Sequence, residues 1–186
     1  MMDTTRYQKF VNKTAFFPRS TQGRNISYLV MGIVEEVGEI YEFILKKQKL
    51  KEGDNYLNEY VASQIVKELG DLVWYITAIC NEMSFPLGRL MQYTKVKLGN
   101  NPNHSSLLLY LGDLSGAVKK MIRDDQEVIT EEKSNLIITN LCHVMVYVLQ
   151  ICKENQVKFE TVLEVNMNKI KNRMKKGTLQ GSGNDR

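Results

Sequence analysis

The chain has 186 residues, of which 43% are hydrophobic and 25% charged, with a formal net charge of +4 and only three prolines. That is enough for one domain with a sizeable core, and the mild charge does not point to nucleic acid. Three cysteines without a CxxC pair (Cys80, Cys142, Cys152) and only two histidines (His104, His143) argue against a disulfide framework and a Cys/His zinc site.

Apolar residues recur at three- and four-residue spacing, with no persuasive alternation of period two, so the expected fold class is all-α. Asp3 to Phe16 reads as a short helix capped by Asp3 or Thr4, and the Phe17–Gly23 stretch as a loop. A long helix is expected from about Asn25 to Lys49, ended by Lys51-Glu52-Gly53-Asp54-Asn55. Another runs from about Leu57 to Met83, and Pro86 opens a shorter one to about Leu98. After the break at Gly99–Asn103, helices resume over Ser105–Arg123, Glu131–Glu154 and Lys158–Met174. A glycine-rich tail, 177–186, follows. No apolar run reads as long enough to span a bilayer, and the N-terminus lacks a signal-peptide core. The expectation is a cytoplasmic protein with no membrane partner.

An internal echo sets Ile76–Glu82 against Val148–Glu154, Tyr75 against Tyr147, and Gly38 against Gly116. It suggests one domain over 1–186 built from two tandem helical units, 1–103 and 104–176. In the second unit Glu36 becomes Leu114, Glu39 becomes Ala117, Glu68 becomes Asn140 and Asp71 becomes His143. His143 reads as a satisfied core histidine.

Those four acids are the strongest chemical signal. Glu36 and Glu39 share one helix face, Glu68 and Asp71 another, and both pairs lie among apolar residues. If the helices pack face to face, four carboxylates converge and repel one another unless something positive sits among them. A lysine salt bridge would serve, and a di-iron centre is a rival that would want Glu-x-x-His pairs, which neither histidine completes. Oxygen-only donors favour Mg²⁺, with Mn²⁺ as the alternative. A second cluster, Lys169, Lys171, Arg173, Lys175 and Lys176, carries no acid. It is either a solvated face or a phosphate clamp.

The spacing Glu36-x-x-Glu39 with Glu68-x-x-Asp71 resembles the motif of the MazG-like, all-α nucleoside triphosphate pyrophosphohydrolases. Dimeric dUTPases and dCTP pyrophosphatases belong to that superfamily. Tyr7-Gln8, Thr14-Ala15-Phe16-Phe17-Pro18, Tyr28-Leu29-x-x-Gly32 and Gly70-Asp71-x-x-Trp74-Tyr75 are similar to it as well. So are Asn166-x-x-Lys169-Ile170-x-x-Arg173 and the Gly177–Gly183 tail. The departure is the acid-free unit inserted before the Asn-Lys-Arg helix.

The resemblance implies a helical bundle that cleaves a (d)NTP, such as dUTP, dCTP or dGTP, to monophosphate and pyrophosphate. Metal would sit on Glu36, Glu39, Glu68 and Asp71. Glu35 and Glu39 would be the catalytic carboxylates, Glu35 the one to orient or deprotonate water. Lys169, Arg173 and Lys176 would neutralise phosphate charge, and Asn166 would bond phosphate or sugar. Gln8 would read a base edge, and one of Phe16, Phe17, Trp74 and Tyr75 would stack on the base. A homodimer or higher homo-oligomer in bacterial or phage-infected cytosol is implied, with one competent site per chain. The reading from another class is a catalytically idle helical scaffold. A nucleic-acid module is weaker still, because aromatic residues do not interleave the basic run.

Overall fold

A computed structural model describes residues 3–18, 25–50, 55–97 and 104–178. Seven helices follow one another: α1 (Thr4–Thr14), α2 (Ile26–Gln48), α3 (Asn55–Glu82), α4 (Leu87–Lys97), α5 (His104–Asp125), α6 (Glu131–Glu154) and α7 (Phe159–Lys176). There is no strand among the described residues. Of the break expected at 51–55, positions 51–54 lie outside them and Asn55 opens α3; the break at 99–103 and the tail from 179 onward also lie outside them.

The helix starts follow the local chemistry. Asp3 accepts from the Thr5 N–H at 3.0 Å, and Asn25 Oδ1 accepts from the Tyr28 N–H at 3.1 Å. The Thr130 hydroxyl accepts from the Lys133 N–H at 3.3 Å, with Glu131 and Glu132 in the first turn, where the helix dipole favours negative charge. At the end of α7, Gly177 takes a left-handed conformation (φ 69°), and the Thr178 N–H closes onto the Arg173 carbonyl at 2.9 Å.

The bundle is organised by the packing of α2 on α3 and of α5 on α6, and α2 also meets α5. The shorter helices cross over, α4 onto α6 and α7 onto α3, while α1 covers α3, α4 and α7. The core is continuous and includes Leu29, Ile33, Ile65, Leu69, Leu72 and Ile76 from α2 and α3, with Leu141, Val144 and Val148 from α6. Contrary to the sequence reading, α6 is long and apolar enough to cross a membrane, with a window of mean hydropathy 1.6. Here 67% of that window is buried against other helices, and a helix apolar all round fits the centre of a bundle. Cys80, Cys142 and Cys152 are buried and form no disulfide among the described residues.

The echo in sequence has a counterpart in backbone geometry. After α3, the N–H groups of Met83, Ser84 and Phe85 bond the carbonyls of Ile79, Asn81 and Cys80. After α6, the N–H groups of Asn155, Gln156 and Val157 bond those of Ile151, Lys153 and Cys152, the same pattern at a constant offset. Ser84 (φ 54°) and Gln156 (φ 55°) both turn left-handed at the corner.

A side chain held at positive φ clashes with its own backbone, and glycine relieves this. Gln156→Gly is therefore expected to stabilise the fold by about 1 kcal/mol. Ser84→Gly should shift in the same direction. Urea denaturation followed by circular dichroism measures both.

Candidate metal centre

The acids converge because α2 and α3 lie side by side. One carboxylate oxygen each from Glu36, Glu39 and Glu68 lies within 4.8 Å of the others. Glu36 and Glu68 are buried, whereas Glu39 sits at the exposed rim. The buried pair places the cluster against the core, and Glu39 opens it to solvent. Glu36 Oε2 is buried and has no hydrogen-bond partner among the described residues. A buried carboxylate oxygen left so is costly unless it is protonated or a cation takes it. All the donors are hard oxygens, so the residues fit a divalent cation of the Mg²⁺ type.

Asp71 lies beside this trio and stands outside it. Lys169 Nζ makes a very close ion pair with Asp71 Oδ2, and Asn166 Nδ2 donates to Asp71 Oδ1 at 2.7 Å. Asn166 Oδ1 accepts from the Tyr7 hydroxyl at 2.8 Å. A chain of polar contacts thus runs from α1 through α7 to α3. Glycine makes it possible: a Cβ on Gly70 would stand 2.8 Å from the Asn166 Cβ. Similarly, a Cβ on Gly32 would fall 2.3 Å from the Tyr75 ring, so that ring packs directly on the α2 backbone.

The electrostatics follow from burial. Glu36 is pushed up to about 9, first by burial and then by the charges of Asp71, Glu68 and Glu39, with Lys169 opposing. The Tyr7 phenol is raised well above its usual range by burial and by Asp71. The Tyr75 phenol is also raised, chiefly by burial and then by Tyr28 and the nearby acids Glu36, Glu35 and Asp71.

The structure also places the other expected site residues. Asn166 is fully buried, with one end of its amide on Tyr7 and the other on Asp71, which it orients. Gln8 is likewise occupied: Nε2 donates to the Phe85 carbonyl at 2.9 Å and Oε1 accepts from the Leu87 N–H at 2.8 Å. It clips α1 to the α3–α4 corner. Trp74 Nε1 reaches the Thr14 hydroxyl at 3.4 Å and its ring meets Tyr75 edge-on, whereas Phe17 stacks on Tyr28 at 5.8 Å. Phe16 is exposed, as are Glu35 and Lys176, while Arg173 is half-buried. His143 is not a core residue but stacks on Tyr110, 3.8 Å between centroids. The sequence reading missed the Tyr7–Asn166–Asp71 chain. Its trace in sequence is only the pairing of Gly70 with a buried amide far away.

Residues 24–106 match the MazG nucleotide pyrophosphohydrolase domain. That part of the chain is similar to the MazG family. The match takes in α2, α3 and α4, and with them all four acids, but stops at the start of α5. The chain is also 39% identical over 75 residues to the Gene 37 protein of Mycobacterium phage L5, an overlap covering 40% of this chain and 66% of the relative. No solved structure matches.

Two outcomes are expected from this geometry. Glu36 binds its proton more tightly when folded than when unfolded, where its ordinary value is 4.5. Its contribution to stability is therefore complete below that pH and is lost as pH rises toward about 9. Melting in EDTA should show this loss, Mg²⁺ should reverse it, and Glu36→Gln should abolish both effects. Separately, Gly70→Ala drives backbone-attached atoms together and should cost about 1–3 kcal/mol in chemical denaturation.

Proposed function

We propose that the protein is a Mg²⁺-dependent nucleoside triphosphate pyrophosphohydrolase, cleaving a (d)NTP to its monophosphate and pyrophosphate. The observation that carries this reading is the carboxylate trio of Glu36, Glu39 and Glu68, two of them buried and Glu36 Oε2 without a hydrogen-bond partner among the described residues, set beside an Asp71–Lys169 ion pair. A structural salt bridge alone would leave no surplus of buried negative charge. The surplus here is suited to a cation that a polyphosphate can share.

Glu36, Glu39 and Glu68 would hold the ion, and Asp71 would join them or anchor Lys169 against them. Mg²⁺ or Mn²⁺ bound there supplies positive charge against phosphate oxygens and a lower pKa for the attacking water. The chain's own residues do the rest. Lys169, Arg173 and Lys176 lie at i, i+4 and i+7 of α7, one stripe about 10 Å long. That length suits a row of phosphates leading away from the acids. Lys169 neutralises as a point charge and Arg173 as a planar fork. Glu35, exposed and close enough to Tyr75 for its charge to be felt there, is the carboxylate we assign to orient the water. Asn166 and Tyr7 keep Asp71 in register without touching substrate. Attack at the α-phosphorus, a deoxynucleotide substrate, a homodimer and a cytoplasmic setting belong to the same reading.

Purified protein incubated with each ribo- and deoxynucleoside triphosphate, with and without Mg²⁺, tests it by chromatography of the products. Expected are monophosphate and pyrophosphate from a subset of nucleotides, with no product in EDTA or in Glu39→Ala. Lys169→Met should lower kcat by about 10²–10³-fold. No turnover of any nucleotide would instead favour an idle scaffold, and inorganic phosphate with a diphosphate would move the point of attack.

A further inference from the structure

A cavity of about 420 Å³ opens between α5 and α6, on the far side of the sequence repeat from the acids. Its position is not arbitrary. The corner after α3 and the corner after α6 share one hydrogen-bond pattern at one offset, from Cys80 and Phe85 to Cys152 and Val157. Carried back along the helices, that offset sets Glu68 on Asn140 and Asp71 on His143, and both of these line the cavity. Ala117, set against Glu39 by the separate pairing of Gly38 with Gly116, lines it as well. The cavity is therefore the second unit's counterpart of the metal centre, kept open while its ligands were exchanged.

What replaced them decides what it can hold. Three carboxylates have become an amide, an imidazole and a methyl group, so no cation is called for. Two lysines, Lys120 and Lys133, line the same space. Lys133 leans toward Glu132 and Asp125 at 3.4 and 4.0 Å, whereas Lys120 makes no ion pair among the described residues. Asp113 and Glu132 also border it, so the lining is balanced and not a general anion trap. The Tyr110 and His143 rings lie parallel, 2° apart in plane, and give a flat aromatic surface. Asn140, itself buried, spends Nδ2 on the Leu136 carbonyl at 2.9 Å and leaves Oδ1 as an acceptor for a ligand. On α5, Gly112 and Gly116 lie one turn apart, and a Cβ on either would meet nothing within 4 Å. The volume lies in the range of sites that enclose small organic molecules.

A flat ring, an amide acceptor, a cationic amine and no metal ligands together fit a planar heterocycle carrying one small anionic group. We propose that this cavity is a metal-independent binding site for a nucleoside monophosphate, its base against the Tyr110–His143 rings and Asn140 and its phosphate at Lys120. The choice of a nucleotide rests on the reading of the acid-lined centre given above. The site itself rests on the cavity and its lining.

Isothermal titration of the full chain in EDTA with each deoxynucleoside monophosphate, and with inorganic phosphate, tests the proposal. Expected is one monophosphate bound per chain, at least tenfold more tightly than phosphate, with affinity unchanged in Glu39→Gln. Lys120→Glu, at an exposed position, and Gly116→Leu, which fills the space, should each weaken it at least tenfold. Lys120→Glu should leave the Mg²⁺-dependent turnover of triphosphate at its basal rate. Binding lost in Glu39→Gln, or unaltered in both cavity variants, would assign the nucleotide to the acid centre and overturn the proposal. So would phosphate binding as tightly as the monophosphates, or no binding at millimolar ligand. Because turnover is read separately, failure of this site and failure of the hydrolase reading give different results.

Discussion

Everything near the centre of this molecule is arranged around carboxylates that cannot all stay charged in a buried place. Glu36 and Glu68 are taken out of water by the packing of α2 on α3, and Glu39 and Asp71 add their fields. A lone buried charge would be neutralised by a proton, and Glu36 answers in that way. Lys169 meets Asp71 and leaves Glu36 Oε2 buried without a hydrogen-bond partner among the described residues. The contacts of Lys169 and Asn166 with Asp71 account for the docking of α7 on α3, for the glycine at position 70 that permits it, and for the tyrosine that completes the chain of hydrogen bonds.

The two halves of the bundle solve one packing problem with different chemistry. Each has a long helix pair and a shorter helix that crosses to the other half, α4 onto α6 and α7 onto α3. The crossing makes the halves mutually dependent, since the first half's acids are served by the last helix. In the second half, Leu114 and Ala117 replace acids on α5, and that side needs no neutralising lysine of the Lys169 kind. The family match follows the same division, ending where the acid-free half begins.

The helices were legible because period and caps agree: Asp3, Asn25, Thr130 and Gly177 each stand where the chain turns. The acid trio was legible because i, i+3 spacing fixes a face whatever the surroundings. The roles of Gln8 and Asn166 were not, because an amide looks the same in sequence whether it faces a ligand or a backbone carbonyl 77 residues away. His143 illustrates the opposite error. Apolar neighbours on α6 suggested burial, yet the small residues of α5 facing it leave space that sequence periodicity does not register. Nor did periodicity separate a core helix from a membrane span in α6, since both are apolar on every side.

The polar chain through Asn166 also has a bearing on how the protein comes into being. Tyr7 and Asn166 are separated by 159 positions, and Asn166 and Asp71 by 95. During synthesis, α2 and α3 leave the ribosome long before α7 exists to bring Lys169 to Asp71. The nascent chain must therefore carry its acid pairs without their internal counter-charge, and such long-range closure is slow. Until α7 docks, Asp71 on α3 stands without the lysine that offsets its charge, and the last helix to be made is the one that completes the polar chain.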